Sequence, residues 1–308
     1  MPLVTNRELL QKAFREGYAV GAFNINNMEF VEAIATAAAE ERSPAILAVS
    51  EGAIKYAGFE MLVGMVRVVA SRTPVPLSLH LDHGKDSAVI RQCIEGGFTS
   101  VMIDASDKEF SENVRVTKSV VESAAARGVS VEAELGRLAG IEDAVSVAER
   151  DALLTDPAQA AEFVKRTGVD SLAVSIGTSH GAYKFKGESV LAIDRVKQIR
   201  DVVGIPLVLH GASGVSQATV NKATQYGAAL GKPAGVPDDS IREAIRFGVA
   251  KVNIDTDMRL AFMASLRETL TTKTSEFDPR KILGPARDAI TEVVRGKMRL
   301  FGSSGRAA

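Results

Sequence analysis

The stretch PLSLHLDHGKDSAVIRQCIEGGFTSVMID (76–104) decides the fold. It opens on an apolar run of strand length, PLSLHLD (76–82), and closes on another, SVMID (100–104). The residues between them leave room for a helix, on which Cys93 reads as a packing residue. Strand, crossover and strand form the unit of a parallel sheet, because parallel neighbours cannot be joined by a tight turn. The same kind of run recurs on both sides, as AVGAFN (19–24), PAILAVS (44–50), SVEAELG (130–136), SLAVSIG (171–177), PLVLHG (206–211) and VAKVNID (249–255). Segments of helical composition lie between them. In NMEFVEAIATAAAEER (27–42), Phe30, Ile34 and Ala37 or Ala38 recur at helical spacing. NVRVTKSVVESAAARG (113–128) has the same character.

Eight such strands alternating with helices predict an α/β protein with a parallel sheet. An open doubly wound sheet fits the alternation. The count of eight, with no break in composition, favours one (β/α)8 TIM barrel as a single domain over 1–308. Two connections, 137–156 and 212–240, exceed simple turns and read as ligand loops or lids, the first as a mobile loop. The C-terminal extension reads as helical, with a frayed GSSGRAA tail.

Composition narrows the partners. The chain has 308 residues, 46% of them hydrophobic, which excludes a disordered chain and suffices for a core. Acidic and basic residues number 38 and 37, leaving no electrostatic footprint for nucleic acid or an anionic membrane surface. One cysteine excludes an intrachain disulfide and fits a reducing, cytoplasmic setting. MPLVTNRELL has no basic region leading into an apolar run, so no signal peptide is read. No run of 18 apolar residues predicts a membrane helix.

All four histidines, His80, His83, His180 and His210, fall at or just past the carboxyl end of an expected strand. A barrel would place them on the rim where barrel enzymes keep their chemistry. Three protein ligands and one open position describe a catalytic zinc site, and His83, His180 and His210 are the expected set. His80, lower in its strand, reads as a hydrogen-bonded core residue. Asp82, Asp104, Glu134 and Asp255 share the rim, where unpaired carboxylates would be costly and a cation would relieve them. Helix capping is the alternative reading of Asp82 and Asp104.

Phosphate handling is the second signal. HGASG (210–214) follows strand seven and NIDTD (253–257) follows strand eight, and barrels often bind phosphate with those two loops. Gly211 and Gly214 let backbone N–H groups approach an anion, Ser213 adds a hydroxyl, and Asp255 and Thr256 stand where a helix begins. Ordinary turn chemistry is the competing reading. GAALGK (227–232) is one residue short of a P-loop and runs into Pro233, and no glycine-rich dinucleotide motif follows a strand.

HLDHG (80–84), VMIDAS (101–106), EAELGRLAG (132–140), GTSHGAYKFKG (177–187), LHGASG (209–214) and NIDTDMR (253–259) resemble the class II, zinc-dependent ketose-bisphosphate aldolases, which include fructose- and tagatose-bisphosphate aldolases. The resemblance runs through FDPRK (277–281) to the tail. It implies that His83, His180 and His210 hold the zinc, and that Asp82 moves the proton at the carbon–carbon bond. It implies that Asp104 and Glu134 form a second metal position and that Ser50 contacts the aldehyde. For dihydroxyacetone phosphate it implies Gly181, Lys184, Gly211, Ala212, Ser213, Asn253, Ile254, Asp255 and Thr256, with Arg259 beside them and a monovalent cation, Na⁺ or K⁺. It further implies that Arg280 grips the other phosphate from a neighbouring subunit of a homodimer or homotetramer, and that Glu142 moves the ketone-side proton.

The expected reaction is reversible cleavage of fructose 1,6-bisphosphate to dihydroxyacetone phosphate and glyceraldehyde 3-phosphate through a zinc-stabilised enediolate. A base takes the C4 hydroxyl proton and a metal accepts the electron pair released at C3. The C4 epimer, tagatose 1,6-bisphosphate, is the nearest alternative, since one hydroxyl separates the two. A Schiff-base aldolase using Lys55, Lys184 or Lys251 would need no metal. A zinc hydrolase would lack the phosphate loops.

Overall fold

The computed structural model describes residues 3–136, 139–142, 145–147, 154–180, 191–230 and 235–307, with backbone only for 139–142, 145–147 and 179–180. The strands are β1 (Val20–Asn24), β2 (Ala45–Ser50), β3 (Leu77–Gly84), β4 (Ser100–Ile103), β5 (Ser130–Leu135), β6 (Ala139–Glu142), β7 (Val145–Val147), β8 (Ser171–Val174), β9 (Ser179–His180), β10 (Leu207–Leu209) and β11 (Val249–Ile254). The helices are α1 (Asn6–Glu16), α2 (Met28–Glu41), α3 (Glu51–Ala57), α4 (Phe59–Arg72), α5 (Ser87–Gly96), α6 (Phe110–Ala125), α7 (Pro157–Thr167), α8 (Ile193–Val203), α9 (Gln217–Gln225), α10 (Asp238–Arg246), α11 (Thr256–Thr272) and α12 (Pro279–Leu300).

Eight strands close into a parallel barrel in the order β1-β11-β10-β8-β5-β4-β3-β2. They are the eight runs expected from the sequence. Strands β1, β2 and β11 are buried along their whole length, which is why β2 (AILAVS) reads as a nearly continuous apolar run rather than an alternating one, while β11 also buries Lys251 and Asn253. On α2, Phe30, Ile34, Ala37 and Ala38 are buried, so the expected apolar stripe faces the barrel.

The amino end of the barrel is closed by α1. Thr5 and Glu8 form a reciprocal cap that starts the helix. Leu9, Leu10 and Ala13 then pack on Val20, Ala22, Ile46 and Ala48. The Ser78 hydroxyl donates to Asn6 Oδ1 at 2.6 Å, tying the helix to the start of β3.

The connection 212–240 contains α9 and the first turn of α10. Of 137–156, the described backbone forms an antiparallel pair, β6 with β7, and β6 also runs parallel to β9. Residues 154–156 lead into α7, which Asp156 caps, and Thr155 is buried with its hydroxyl accepting the Ser175 N–H at 2.8 Å; the rest of that loop lies outside the described residues.

The helical extension is α12, which packs on α2 and α11 with Ile290, Val294 and Met298 buried. The tail is not frayed, contrary to the sequence expectation. Ser303 is fully buried, with its hydroxyl 2.8 Å from Ser43 Oγ, and Gly305 and Ala307 donate their N–H groups to the carbonyls of Glu41 and Arg42. Composition suggested a loose end, but the backbone is pinned to the turn between α2 and β2. Among the described residues, no helix is long and apolar enough to cross a membrane.

Candidate active site

The carboxyl rim gathers most of the expected residues, and a local fault in β3 explains how. Successive side chains on a strand point to opposite faces, so Asp82 and His83 should not both face the barrel mouth. Pairing between β3 and β4 slips at this point: Leu81 sits opposite Val101, yet Gly84 sits opposite Ile103. The extra residue is a bulge, which re-aims the chain. His83 absorbs it with φ +48°, a left-handed conformation that non-glycine residues seldom adopt and that clusters at functional sites. Gly84 follows because a Cβ there would lie 2.6 Å from the Met102 carbonyl oxygen. The outcome is that Asp82, His83 and His210 bring potential ligand atoms within 4.8 Å of one another.

Asp82 is buried and clamped by two amides. Asn24 Nδ2 donates to its Oδ2 at 2.9 Å, and Asn253 Nδ2 donates to its Oδ1 at 2.9 Å. Its carboxylate orientation is therefore fixed from β1 and β11, and helix capping plays no part; Asp86 caps α5 instead. Asn24 was not anticipated. The available signal was its place at the carboxyl end of AVGAFN, the same rim position as the residues that were picked out.

His83 also belongs to a second cluster, with Asp104 and Glu134. Its Nδ1 lies 3.2 Å from Asp104 Oδ2 and 3.8 Å from Glu134 Oε2. Burial opposes charge on His83, but the hydrogen bond to Asp104 and the fields of Asp82, Glu134 and Asp104 outweigh it and raise its pKa to about 10. Burial likewise disfavours the Asp104 carboxylate, yet the His83 bond and charge, with Lys85, hold it well below the usual carboxylate range. Burial and the neighbouring Asp104 push Glu134 well above its ordinary value, so Asp104 is the ionic partner of His83. Glu134 Oε2 is buried and accepts no hydrogen bond among the described residues. A buried carboxyl oxygen without a hydrogen bond beside an imidazole is what a divalent cation relieves, favouring the ionised form that the protein alone disfavours, and the donor set suits zinc.

His210 is buried, with Nε2 2.8 Å from Glu132 Oε1 and Nδ1 3.2 Å from Asn253 Nδ2. Burial and the nearby His83 lower its pKa. The backbone of His180 lies in β9, opposite Gly140 of β6. Its side chain, that of Glu142, and all of Gly181 and Lys184 lie outside the described residues.

The loops after β10 and β11 lie at the same end. Gly211 has φ +62°, and Ala212 and Ser213 are buried. The Gly214 N–H, expected to face an anion, instead donates to Asp257 Oδ2 at 3.1 Å, and Val215 N–H donates to Asp257 Oδ1 at 2.8 Å. Asp257 thus braces this loop from α11. Asn253, Ile254 and Asp255 are buried, with Thr256 opening α11. Asp255 occupies the capping position of α11, but its side chain makes no capping bond and accepts from Arg259 Nε at 2.7 Å. The Ser50 hydroxyl accepts the Ala53 N–H and starts α3. Arg280, near the start of α12, is highly exposed and paired with Asp278, facing solvent.

His80 lies deeper, as expected, with Nδ1 2.8 Å from Ser100 Oγ. Burial and the charge of Lys251 push its pKa down to about 3. Lys251 is fully buried and donates to Glu132 Oε2 at 2.7 Å, so it is not an amine open to a substrate carbonyl. Lys55 is exposed on α3.

A closed parallel barrel with imidazoles and carboxylates grouped on its carboxyl rim is the layout of a barrel enzyme whose mouth carries residue groups that could hold a metal ion. The family described as class-II fructose-bisphosphate aldolase matches residues 4–230 and 233–306. A fructose-bisphosphate aldolase from Thermus caldophilus is 56% identical over 99% of this chain and 100% of its own. One from Geobacillus stearothermophilus is 48% identical over the whole of both chains. Among solved structures, the YdjI aldolase from Escherichia coli K12 superposes with a TM-score of 0.82 at 35% identity, covering 99% of this chain and 100% of its own. The chain belongs to the class II fructose-bisphosphate aldolase family, a family of carbon–carbon lyases.

Proposed function

We propose that this chain cleaves fructose 1,6-bisphosphate reversibly into dihydroxyacetone phosphate and glyceraldehyde 3-phosphate. The observation that carries the reading is Asp82, a buried carboxylate aimed by two amides and set beside His83 and His210. Cleavage requires that the C4 hydroxyl lose its proton as the C3–C4 bond breaks. Asp82 is the base for that proton, and in the reverse direction returns it to the new hydroxyl. Its two amide donors keep it from rotating away, so the acceptor is in place before substrate binds.

His83, His210 and His180 would hold zinc, with Asp104 and Glu134 as its second position. A zinc ion held there would supply Lewis acidity at the C2 carbonyl, the sink for the electron pair released at C3. Gly211 to Ser213 and Asn253 to Thr256 hold the dihydroxyacetone phosphate end, completed by Gly181 and Lys184, by Arg259 through Asp255, and by Na⁺ or K⁺. Ser50 contacts the aldehyde. Glu142 moves the ketone-side proton, and Arg280, turned outward on its own subunit, reaches the second phosphate of a neighbour in a cytoplasmic homodimer or homotetramer. Closure of the 137–156 loop excludes water from the intermediate.

The relatives from Thermus caldophilus and Geobacillus stearothermophilus are named fructose-bisphosphate aldolases, which favours fructose over tagatose bisphosphate. Parallel cleavage assays on both sugars test the reading, before and after chelation and with zinc restored. The expected outcome is faster cleavage of the fructose sugar, lost on chelation and recovered with zinc. Faster tagatose cleavage would overturn the substrate, and full activity under chelator would overturn the metal.

A further inference from the structure

Beneath the rim, a layer of charged side chains crosses the barrel interior. His80 from β3, Glu132 from β5 and Lys251 from β11 are each no more than 1% exposed. Interior layers of such barrels are ordinarily filled by apolar side chains, as Met102, Ala173 and Val208 fill part of this one. Burying an ammonium and a carboxylate together is costly, and apolar replacements are often as stable. Stability gives no reason for the pair.

Its contacts give one. Lys251 Nζ, which can only donate, bonds Glu132 Oε2 at 2.7 Å and lies 3.2 Å from His80 Nε2. His80 Nε2 must then accept, so its Nδ1–H donates to Ser100 Oγ. With Oε2 held by the ammonium, the other oxygen of Glu132, Oε1, meets His210 Nε2 at 2.8 Å. An ionised carboxylate can only accept, so the His210 proton sits on Nε2. The opposite side of the ring agrees: Asn253 Nδ2, a donor, lies 3.2 Å from His210 Nδ1. Two independent contacts therefore assign one tautomer. Nδ1, 4.0 Å from Asp82 Oδ1, is the nitrogen turned toward the rim cluster.

We propose that Glu132, locked by Lys251, is a positioning residue that holds His210 as the Nε2–H tautomer and presents Nδ1 to the divalent ion. Carboxylates that orient histidine ligands in this way commonly change metal affinity by about 10–100-fold when removed. The Lys251–Glu132 pair acts as one unit: the lysine keeps the glutamate ionised and fixes which oxygen faces the histidine. The proposal rests on the ion site described above.

Two measurements test it, neither of them turnover. In the ion-free full chain labelled with ¹⁵N at histidine, the ring signals missing from His210→Gln are expected to show the Nε2–H pattern. An Nδ1–H pattern overturns the proposal and needs no folded core variant. In the Glu132→Leu/Lys251→Met double variant, zinc affinity by chelator competition is expected to fall about 10–100-fold. Glu132→Gln/Lys251→Met keeps an acceptor oxygen for His210 and is expected to recover most of that loss. Unchanged affinity in the leucine variant, or no recovery with glutamine, overturns the proposal. A chain that shows these shifts but cleaves no sugar would instead refute the reaction.

Discussion

At the amino end of the barrel, Asn6 takes the Ser78 hydroxyl, Arg7 pairs with Asp170, and Asp170 Oδ2 also accepts the Val131 N–H. At the carboxyl end, Glu134 Oε2, Asn24 Oδ1 and Asn253 Oδ1 are buried without a hydrogen bond among the described residues. At the floor the same is true of Asn6 Nδ2, so the eight strands end in a floor whose polar groups are mostly paired with one another and in a mouth where more of them are not. Floor residues face α1 and one another, so their replacement should act on stability. Mouth residues face the proposed site for cation and substrate, so their replacement should act on rate. The sharpest separation expected is at Asp82. In Asp82→Asn, kcat should fall about 10³-fold, the size expected when a general base is lost. The melting temperature should hold or rise, because one of several crowded carboxylates is gone. A melting temperature that falls along with the rate would erase the distinction between the two ends.

The converse variant is Leu10→Ala. Leu10 is 1% exposed on α1 and packs under the barrel. Its truncation should cost about 2–5 kcal/mol of stability through lost burial and the cavity left behind. Denaturant titration checks the loss, and kcat measured well below the melting transition should be unchanged. A fall in kcat at that temperature would mean that the floor transmits strain to the mouth.

The mouth should also respond to pH where the floor does not. His83 has its pKa raised to about 10, so in the ion-free protein it carries a proton at pH 7. A metal ligand must be neutral, so the ion has to displace that proton. Apparent zinc affinity should therefore rise about tenfold per pH unit from about pH 7 and level off near pH 10. Stability of the ion-free protein should run the other way. The charged His83 contributes fully below its unfolded pKa of about 6.5, and that contribution is lost as pH rises through about 10. Competition titrations at several pH values read the first effect. A flat affinity profile would mean that His83 is not the proton donor.

The two ends also differ in how much of them the sequence discloses. Eight strands were legible because burial on both faces writes parallel strands as short, largely apolar runs, such as AILAVS in β2. The rim histidines and carboxylates were legible because strand ends map onto one edge of a barrel. The bulge between Leu81 and Gly84 was not, since HLDHG carries no mark that two adjacent side chains turn the same way. The Asn24 clamp and the Lys251–Glu132–His210 chain were hidden for another reason. They join residues far apart in sequence, 58 positions between Asn24 and Asp82 and 119 between Glu132 and Lys251, and only barrel closure sets which meet. The docked tail escaped notice because its anchors are mainly backbone N–H groups, which composition does not report.

The smallest effect is expected at the Arg7–Asp170 pair of the floor, and it tests whether good geometry there translates into stability. Arg7 Nε lies 2.5 Å from Asp170 Oδ1 and Nη2 lies 3.1 Å from Oδ2, a two-pronged contact. Yet the side chains are 42% and 17% exposed, so water and salt screen the attraction. Arg7→Ala should cost about 1 kcal/mol or less, with the difference shrinking at high salt. Asp170 keeps the Val131 N–H at 2.8 Å, so its carboxylate is not stranded by the loss. A cost of about 3 kcal/mol or more would mark the pair as effectively buried. It would make the floor a place where charge, and not only apolar packing, holds α1 in position.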